Sequence, residues 1–231
     1  MRLPKQLTNK LLVCAIIWLL TFVSIASLTQ PANAFISDAQ EISALPITIT
    51  ESGNYVLTSN LTADSTNAIS IEADNVTING NHHYITIENE NCSGINATGY
   101  SNIQLTDINI KGGKESFHFD HCNNLTLNYC NAETPLNEGF NITLCENCTL
   151  TACNVTRSSD YGLRIYDSNQ LIITSCSAIF AEESAVVIEN CTDITIDSAL
   201  IQNNAYGLEM TECRDAIIYE CIFDSNTKQT G

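Results

Sequence analysis

The sequence predicts an all-β chain, a single-stranded right-handed parallel β-helix of about seven coils, and three observations carry that prediction. First, Gly94-Ile95-Asn96-Ala97 sets a register for the rest of the chain. Ser116-Phe117-His118-Phe119, Gly139-Phe140-Asn141-Ile142, Gly162-Leu163-Arg164-Ile165, Ala185-Val186-Val187-Ile188 and Gly207-Leu208-Glu209-Met210 fall into it at steps of 22, 23, 23, 23 and 22 residues. Second, with the small residue as position 0, positions 1 and 3, 9 and 11, and 16 are apolar in nearly every copy, with Thr, Asn, Asp and Tyr between them. That alternation has a period of two, which marks short strands, and a period of 3.6 does not fit. Third, the register holds through six consecutive copies, which the irregular hairpins of a β-sandwich would not maintain. A coil this short cannot bury its own apolar residues, so the copies stack at about 4.8 Å per coil around one core.

Residues 1–34 read as an export signal. Arg2, Lys5 and Lys10 precede an uncharged apolar run from Leu11 to Leu28, and Ala32-Asn33-Ala34 supplies a small-x-small cleavage site. The expected cut falls between Ala34 and Phe35. The alternative is a retained anchor, because the run is just long enough to span a membrane. Residues 35–67 read as an N-terminal cap with lead-in strands at Pro46–Thr50 and Tyr55–Leu57. Residues 68–231 read as the β-helix, beginning with a less regular copy near Ala68. After Asp224-Ser225-Asn226 the chain stops at about the place for another coil, so further chain or a covering partner is expected there.

Composition sets limits on partners. Nine Lys and Arg stand against 26 Asp and Glu, a formal charge of −17. Removing residues 1–34 takes away three basic residues and no acidic one, which leaves −20. Such a surface repels nucleic acid, anionic lipid and, at low salt, polyuronate chains. Carbohydrate or other cell-surface proteins remain as partners, with membrane contact only through an uncleaved signal segment.

Two cysteine ladders follow from the repeat. Position 6 carries Cys122, Cys145, Ser168, Cys191 and Cys213, and position 14 carries Cys130, Cys153, Cys176, Ala199 and Cys221. Interchange with Ser and Ala points to small buried side chains. Export and stacked Cα atoms also leave inter-coil disulfides open. Cys145-Glu146-Asn147-Cys148 spells C-x-x-C, but the register places Cys145 on a bend and Cys148 on an inward face, which favours structural use. Position 8 repeats Asn102, Asn124, Asn147, Asp193 and Asp215, residues that tolerate a bend and bond their own backbone. Nine N-x-S/T sequons occur, at Asn60, Asn75, Asn91, Asn96, Asn124, Asn141, Asn147, Asn154 and Asn190. Asn96, Asn141 and the loop-proximal sites are the expected glycan acceptors.

The candidate ligand-binding face is the outward one at positions 2 and 4, which gathers His118, Asp120, Arg164, Tyr166, Glu189 and Glu209, with Asp167 at the next bend. Tyr166 could stack on a sugar and Arg164 could hold a carboxylate. Asp120 and Glu189 stand three coils apart, about 14 Å, too far for a paired-carboxylate mechanism. No catalytic residue is assigned. His118-Phe119-Asp120-His121 crowds three ligands into four residues without a fourth from elsewhere, so neither a metal nor a cofactor is implied.

The copies between Gly94 and Phe223, of the form G-[IFL]-x-[ILM]-x-x-[CS]-x-[ND]-[IL]-x-[IL], resemble the carbohydrate-binding and sugar-hydrolase β-helix superfamily, which includes NosD-type periplasmic proteins. Ile71-Glu72-Ala73-Asp74-Asn75-Val76-Thr77-Ile78-Asn79-Gly80-Asn81-His82 is similar to its first-coil motif, and Ile49–Leu57 is similar to its lead-in strand. The likeness spans about residues 46–225, and similar exported chains are common on methanogenic archaea. It implies the β-helix fold and a secreted, cell-surface or periplasmic module, structural or carbohydrate-binding. It also implies two rivals. One is a polysaccharide lyase or glycoside hydrolase acting on the outward face. The other is a copper-handling accessory, which no Met-rich or His-rich tract supports.

Overall fold

The computed structural model describes residues 38–227. They form an all-β right-handed parallel solenoid. Each coil contributes one strand to each of three parallel sheets, and every strand pairs with its counterparts one coil above and below. In the first coil these are Ile47–Ile49 for the first sheet, Gly53–Leu57 for the second and Leu61–Ala63 for the third. In the last they are Tyr206–Thr211, Arg214–Tyr219 and Ile222–Asp224.

The solenoid has eight coils where seven were expected. The lead-in strands pair in register with the next coil, Ile47 with Ile69 and Tyr55 with Ile78, and so count as a coil themselves. Their period was obscured because the following coil is longer. Ile69 pairs with Ile95, 26 residues on, against the 22 that separate Ile47 from Ile69. Part of the extra length is the turn at Gly80-Asn81-His82-His83, where Asn81 and His82 both have positive φ. A Cβ on Gly80 would lie 1.9 Å from the carbonyl oxygen of Asp107 in the next coil, so no other residue fits there unshifted. Gln40–Ile42 adds a ninth strand to the second sheet. Residues 35–37 of the expected cap lie outside the described residues, as do the expected signal segment and its cleavage site at Ala34 and Phe35.

Positions 1, 3, 9, 11 and 16 point inward as the repeat predicts. Phe117, Phe119 and Phe140 are fully buried, and the rings of Phe117 and Phe140 stack across one coil at 4.6 Å. Such a pair contributes about 0.5–1.5 kcal/mol beyond its burial.

Four left-handed residues turn the chain in each of the fourth to eighth coils. In the fifth coil they are Leu144, Asn147, Ala152 and Arg157, with φ between 52° and 57°. A non-glycine residue costs roughly 1–2 kcal/mol in that region, and Asn or Asp costs less. Position 8 uses the cheaper chemistry: Asn75, Asn102, Asn124, Asn147, Asp193 and Asp215 are all left-handed, with Gln170 between them. From Asn102 onward these residues fall inside strands of the second sheet, unpaired in its ladder, and put a bend in each strand.

The cysteine ladders cap strand ends. Sγ of Cys145 lies 3.1 Å from the carbonyl oxygen of Thr143 and 3.6 Å from that of Phe119 one coil back. The backbone N–H of Cys122 donates to Sγ of Cys145 (3.3 Å), and that of Cys145 donates to Oγ of Ser168 (3.0 Å). Position 6 therefore needs a small side chain that both donates and accepts, which Cys and Ser share. Position 14 repeats the arrangement, with Cys153 on the carbonyls of Leu127 and Thr151. All ten cysteines among the described residues are free thiols.

Candidate functional site

The face singled out at positions 2 and 4 belongs to the first sheet, and the structure divides it into two rows. Stacking places Asn96, His118, Asn141, Arg164, Val187 and Glu209 in one column and Thr98, Asp120, Thr143, Tyr166, Glu189 and Thr211 in the other.

The first column meets a row of loop carboxylates that the repeat had not marked. Nδ1 of His118 lies 2.9 Å from Oε2 of Glu115, off the hydrogen-bonding axis, so the pair is held by charge. Nζ of Lys114 lies 3.4 Å from Oε1 of the same carboxylate. One coil on, a guanidinium nitrogen of Arg164 lies 3.5 Å from Oε1 of Glu138, and the guanidinium sits 5.6 Å from the ring centre of Tyr161. Farther along, Oγ of Ser184 donates to Glu209. Burial pushes the Glu115 carboxyl up, but the close contact and charge of His118, with Lys114 behind it, outweigh burial and hold it at about 2. The same contact raises His118 above its ordinary value, against burial. Glu138 moves the other way: burial raises it, the charge of Glu115 adds to that, and Arg164 offsets only part.

Glu115 and Glu138 are only 6% and 3% exposed, and Oε2 of Glu138 is buried without a hydrogen-bond partner. A polymer lying on this face does not reach them. Glu115 ties its loop to the strand that follows through His118, while Glu138 with Arg164 and Ser184 with Glu209 tie one coil to the next.

The second column gathers no common centre. Nδ1 of His121 lies 2.8 Å from a carboxylate oxygen of Asp120, and Asp167 accepts a hydrogen bond from Asn190. Tyr166 is exposed two coils from Asp120, and Glu189 lies one coil farther. The seven residues of the expected face are thus strung along two columns of the first sheet and the bend beside them. Among the described residues, no three His, Cys, Asp or Glu side chains are placed to hold a metal ion.

A concave surface lies instead on the second sheet. A trough runs between the position-8 column and position 10. Its upstream stretch, 340 Å³, is lined by Asn75, Asn102 and Asn124 on one wall and Thr77, Gln104 and Thr126 on the other. The downstream stretch, 520 Å³, is lined by Asn147, Gln170, Asp193 and Asp215 facing Thr149, Ile172, Thr195 and Ile217. Thr126 stacks on Thr149, so the two stretches meet end to end and run parallel to the solenoid axis across seven coils. At one coil rise per step the groove is about 29 Å long.

Its walls are chemically regular. Nδ2 of Asn124 donates to Oδ1 of Asn102, and Nδ2 of Asn102 to Oδ1 of Asn75, each at 2.9 Å. An amide carries two donors and two acceptor sites, so a member of this ladder keeps one N–H and one lone pair for a ligand. The opposite wall offers hydroxyls and the aliphatic side chains of Ile172 and Ile217, which are 47% and 62% exposed. The position-8 signal was visible in the sequence as a bend ladder; that the bend opens a groove was not.

A family model described as "Right handed beta helix region" matches residues 93–231. Searches of curated proteins and of solved structures returned no match. The match spans more than half the chain and coincides with coils three to eight of the solenoid, and the chain belongs to the right-handed β-helix family.

Proposed function

We propose that the protein is an exported cell-surface or periplasmic module that binds a linear carbohydrate in the axial groove of its second sheet. The single observation that carries this reading is the match between groove and polymer. Each coil presents one amide or carboxylate on one wall and one short hydroxyl, amide or aliphatic side chain on the other. The coil rise of about 4.8 Å is close to the length of one pyranose residue in an extended β-linked chain. A sugar has hydroxyls at its edge and C–H groups on its faces, and the walls supply partners for both. Export rests on the signal pattern of residues 1–34 and fits a carbohydrate partner outside the cytoplasm.

The test is binding of the mature chain to an array of linear glycans, followed by calorimetry with oligomers of increasing length. Affinity is expected to rise with each added residue until the seven coils are filled. Absence of binding to every linear glycan, or affinity that stops rising at two residues, overturns the reading.

A further inference from the structure

The two halves of the groove are not equivalent. Upstream, the amide wall is neutral: Asn75, Asn102 and Asn124 are joined in one ladder. Downstream, the same left-handed column changes from amide to carboxylate at Asp193 and Asp215, while the facing wall gains the exposed Ile172 and Ile217. Asp193 stacks one coil from Asp215, since Thr192 and Ile194 pair with Arg214 and Ala216 on either side of them. Arg214, the residue before Asp215, is the single basic residue in the described strands of this sheet, and no basic residue precedes Asp193 in its strand.

The change from Asn to Asp is not required by the backbone. Both residues tolerate the left-handed conformation, and Asn holds the position in four of the seven groove coils. What the carboxylate adds is charge, on a wall facing isoleucines that alternate with Thr195. A ligand complementary to that pair has a cationic group on one edge and a C–H face beside it, and an amino sugar with a free ammonium has both. The net charge of −20 on the mature chain adds long-range attraction for such a polymer.

Resting on the carbohydrate reading, we propose that the downstream half of the groove is a subsite for a protonated amino sugar. Asp193 and Asp215 receive the ammonium groups, and Ile172 and Ile217 receive the ring faces.

The test compares hexamers of β-1,4-linked N-acetylglucosamine and of fully deacetylated glucosamine by calorimetry on the mature chain at pH 6. The deacetylated hexamer is expected to bind at least about tenfold more tightly, the worth of one charge-assisted hydrogen bond. In Asp193→Asn/Asp215→Asn, which introduces the asparagine found elsewhere in the column, that advantage disappears and the two hexamers bind equally. Glu182→Gln/Glu183→Gln removes the same charge away from the groove and leaves the advantage intact. Equal binding of the two hexamers, or an advantage lost equally in both double variants, overturns the subsite and leaves the carbohydrate reading standing. Failure of both hexamers, together with a blank linear-glycan array, overturns the two together.

Discussion

Asn124 donates its side-chain amide to Oδ1 of Asn102 across one coil, and both residues hold left-handed backbone, with φ of 56° and 59°. One side chain therefore does two things: it relieves the corner and links the groove wall. Asn124→Ala loses both and is expected to cost about 2 kcal/mol, from the left-handed penalty and one ladder hydrogen bond. Asn124→Gly, which keeps the corner, is expected to cost about 1 kcal/mol. Urea unfolding with unchanged m-values checks the order of the two.

The thiols donate to strand-end carbonyls, so they are expected to be free. Cys191 is buried and its thiol is pushed up to about 11, mainly by burial, with the backbone N–H of Ser168 opposing. The eight buried thiols should resist alkylation in the native protein, Cys213 and Cys221 in the last coil reacting first, and the denatured chain from Phe35 onward should give ten thiols. A lower count shows inter-coil disulfides. Cys145→Ser, which keeps a donor and acceptor, should be nearly neutral. Cys145→Val should cost about 1–2 kcal/mol, because the carbonyls lose their donor and the N–H of Cys122 its acceptor.

Glu115 and Glu138 are expected to respond to pH with opposite signs. Glu115 titrates at about 2 in the folded chain, below its unfolded value near 4.5, so its stabilisation is present above pH 4.5 and fades as pH falls toward 2. Glu115→Gln should destabilise at pH 7 by up to about 3 kcal/mol and by much less at pH 3. Glu138 is raised, so ionising it costs stability as pH rises through its folded value. Glu138→Gln should therefore stabilise at pH 7 and make little difference at pH 4. Thermal melts of the two variants at both pH values decide the signs.

Where the host attaches N-glycans, the hydrogen bonds predict which sequons are used. The amide nitrogens of Asn124, Asn147 and Asn154 are each donated to a neighbouring Asn. Asn141, an expected acceptor, instead directs its amide toward Glu115 at 3.5 Å. Asn60 and Asn91 are exposed at loops, and Asn60 uses only its Oδ1, which accepts from the backbone of Tyr84, in a hydrogen bond. Peptide mapping should find glycan on Asn60 and Asn91 and bare peptides at Asn124, Asn147 and Asn154. Occupancy at Asn124 or Asn147 would fill the groove and contradict its role.

The coil pattern was legible because its cause is local. Leu125, Cys148 and Leu171 must all face inward, and only one period brings them there. The first coil was read as lead-in strands because the long turn at Gly80–His83 breaks the spacing between Ile69 and Ile95. Sites were less legible. Arg164 and His118 stood out by type, but their partners Glu138 and Glu115 stand just before position 0, where the next copies carry Tyr161 and Ser184, so no recurring residue type marks the place. Asn147 and Asp193 stood out as bend formers, yet the groove they line exists only once several coils are stacked, which no single copy carries.

The most direct test of the central claim is calorimetric binding of a linear glycan that binds the wild-type chain, measured on Thr149→Arg and Arg164→Ala. Thr149 sits where the two stretches of the groove meet, and Arg164 lies on the first sheet. Loss of binding in Thr149→Arg, with Arg164→Ala retaining wild-type affinity, is the predicted result. Full binding by Thr149→Arg with loss in Arg164→Ala would contradict the account and return the site to the first sheet.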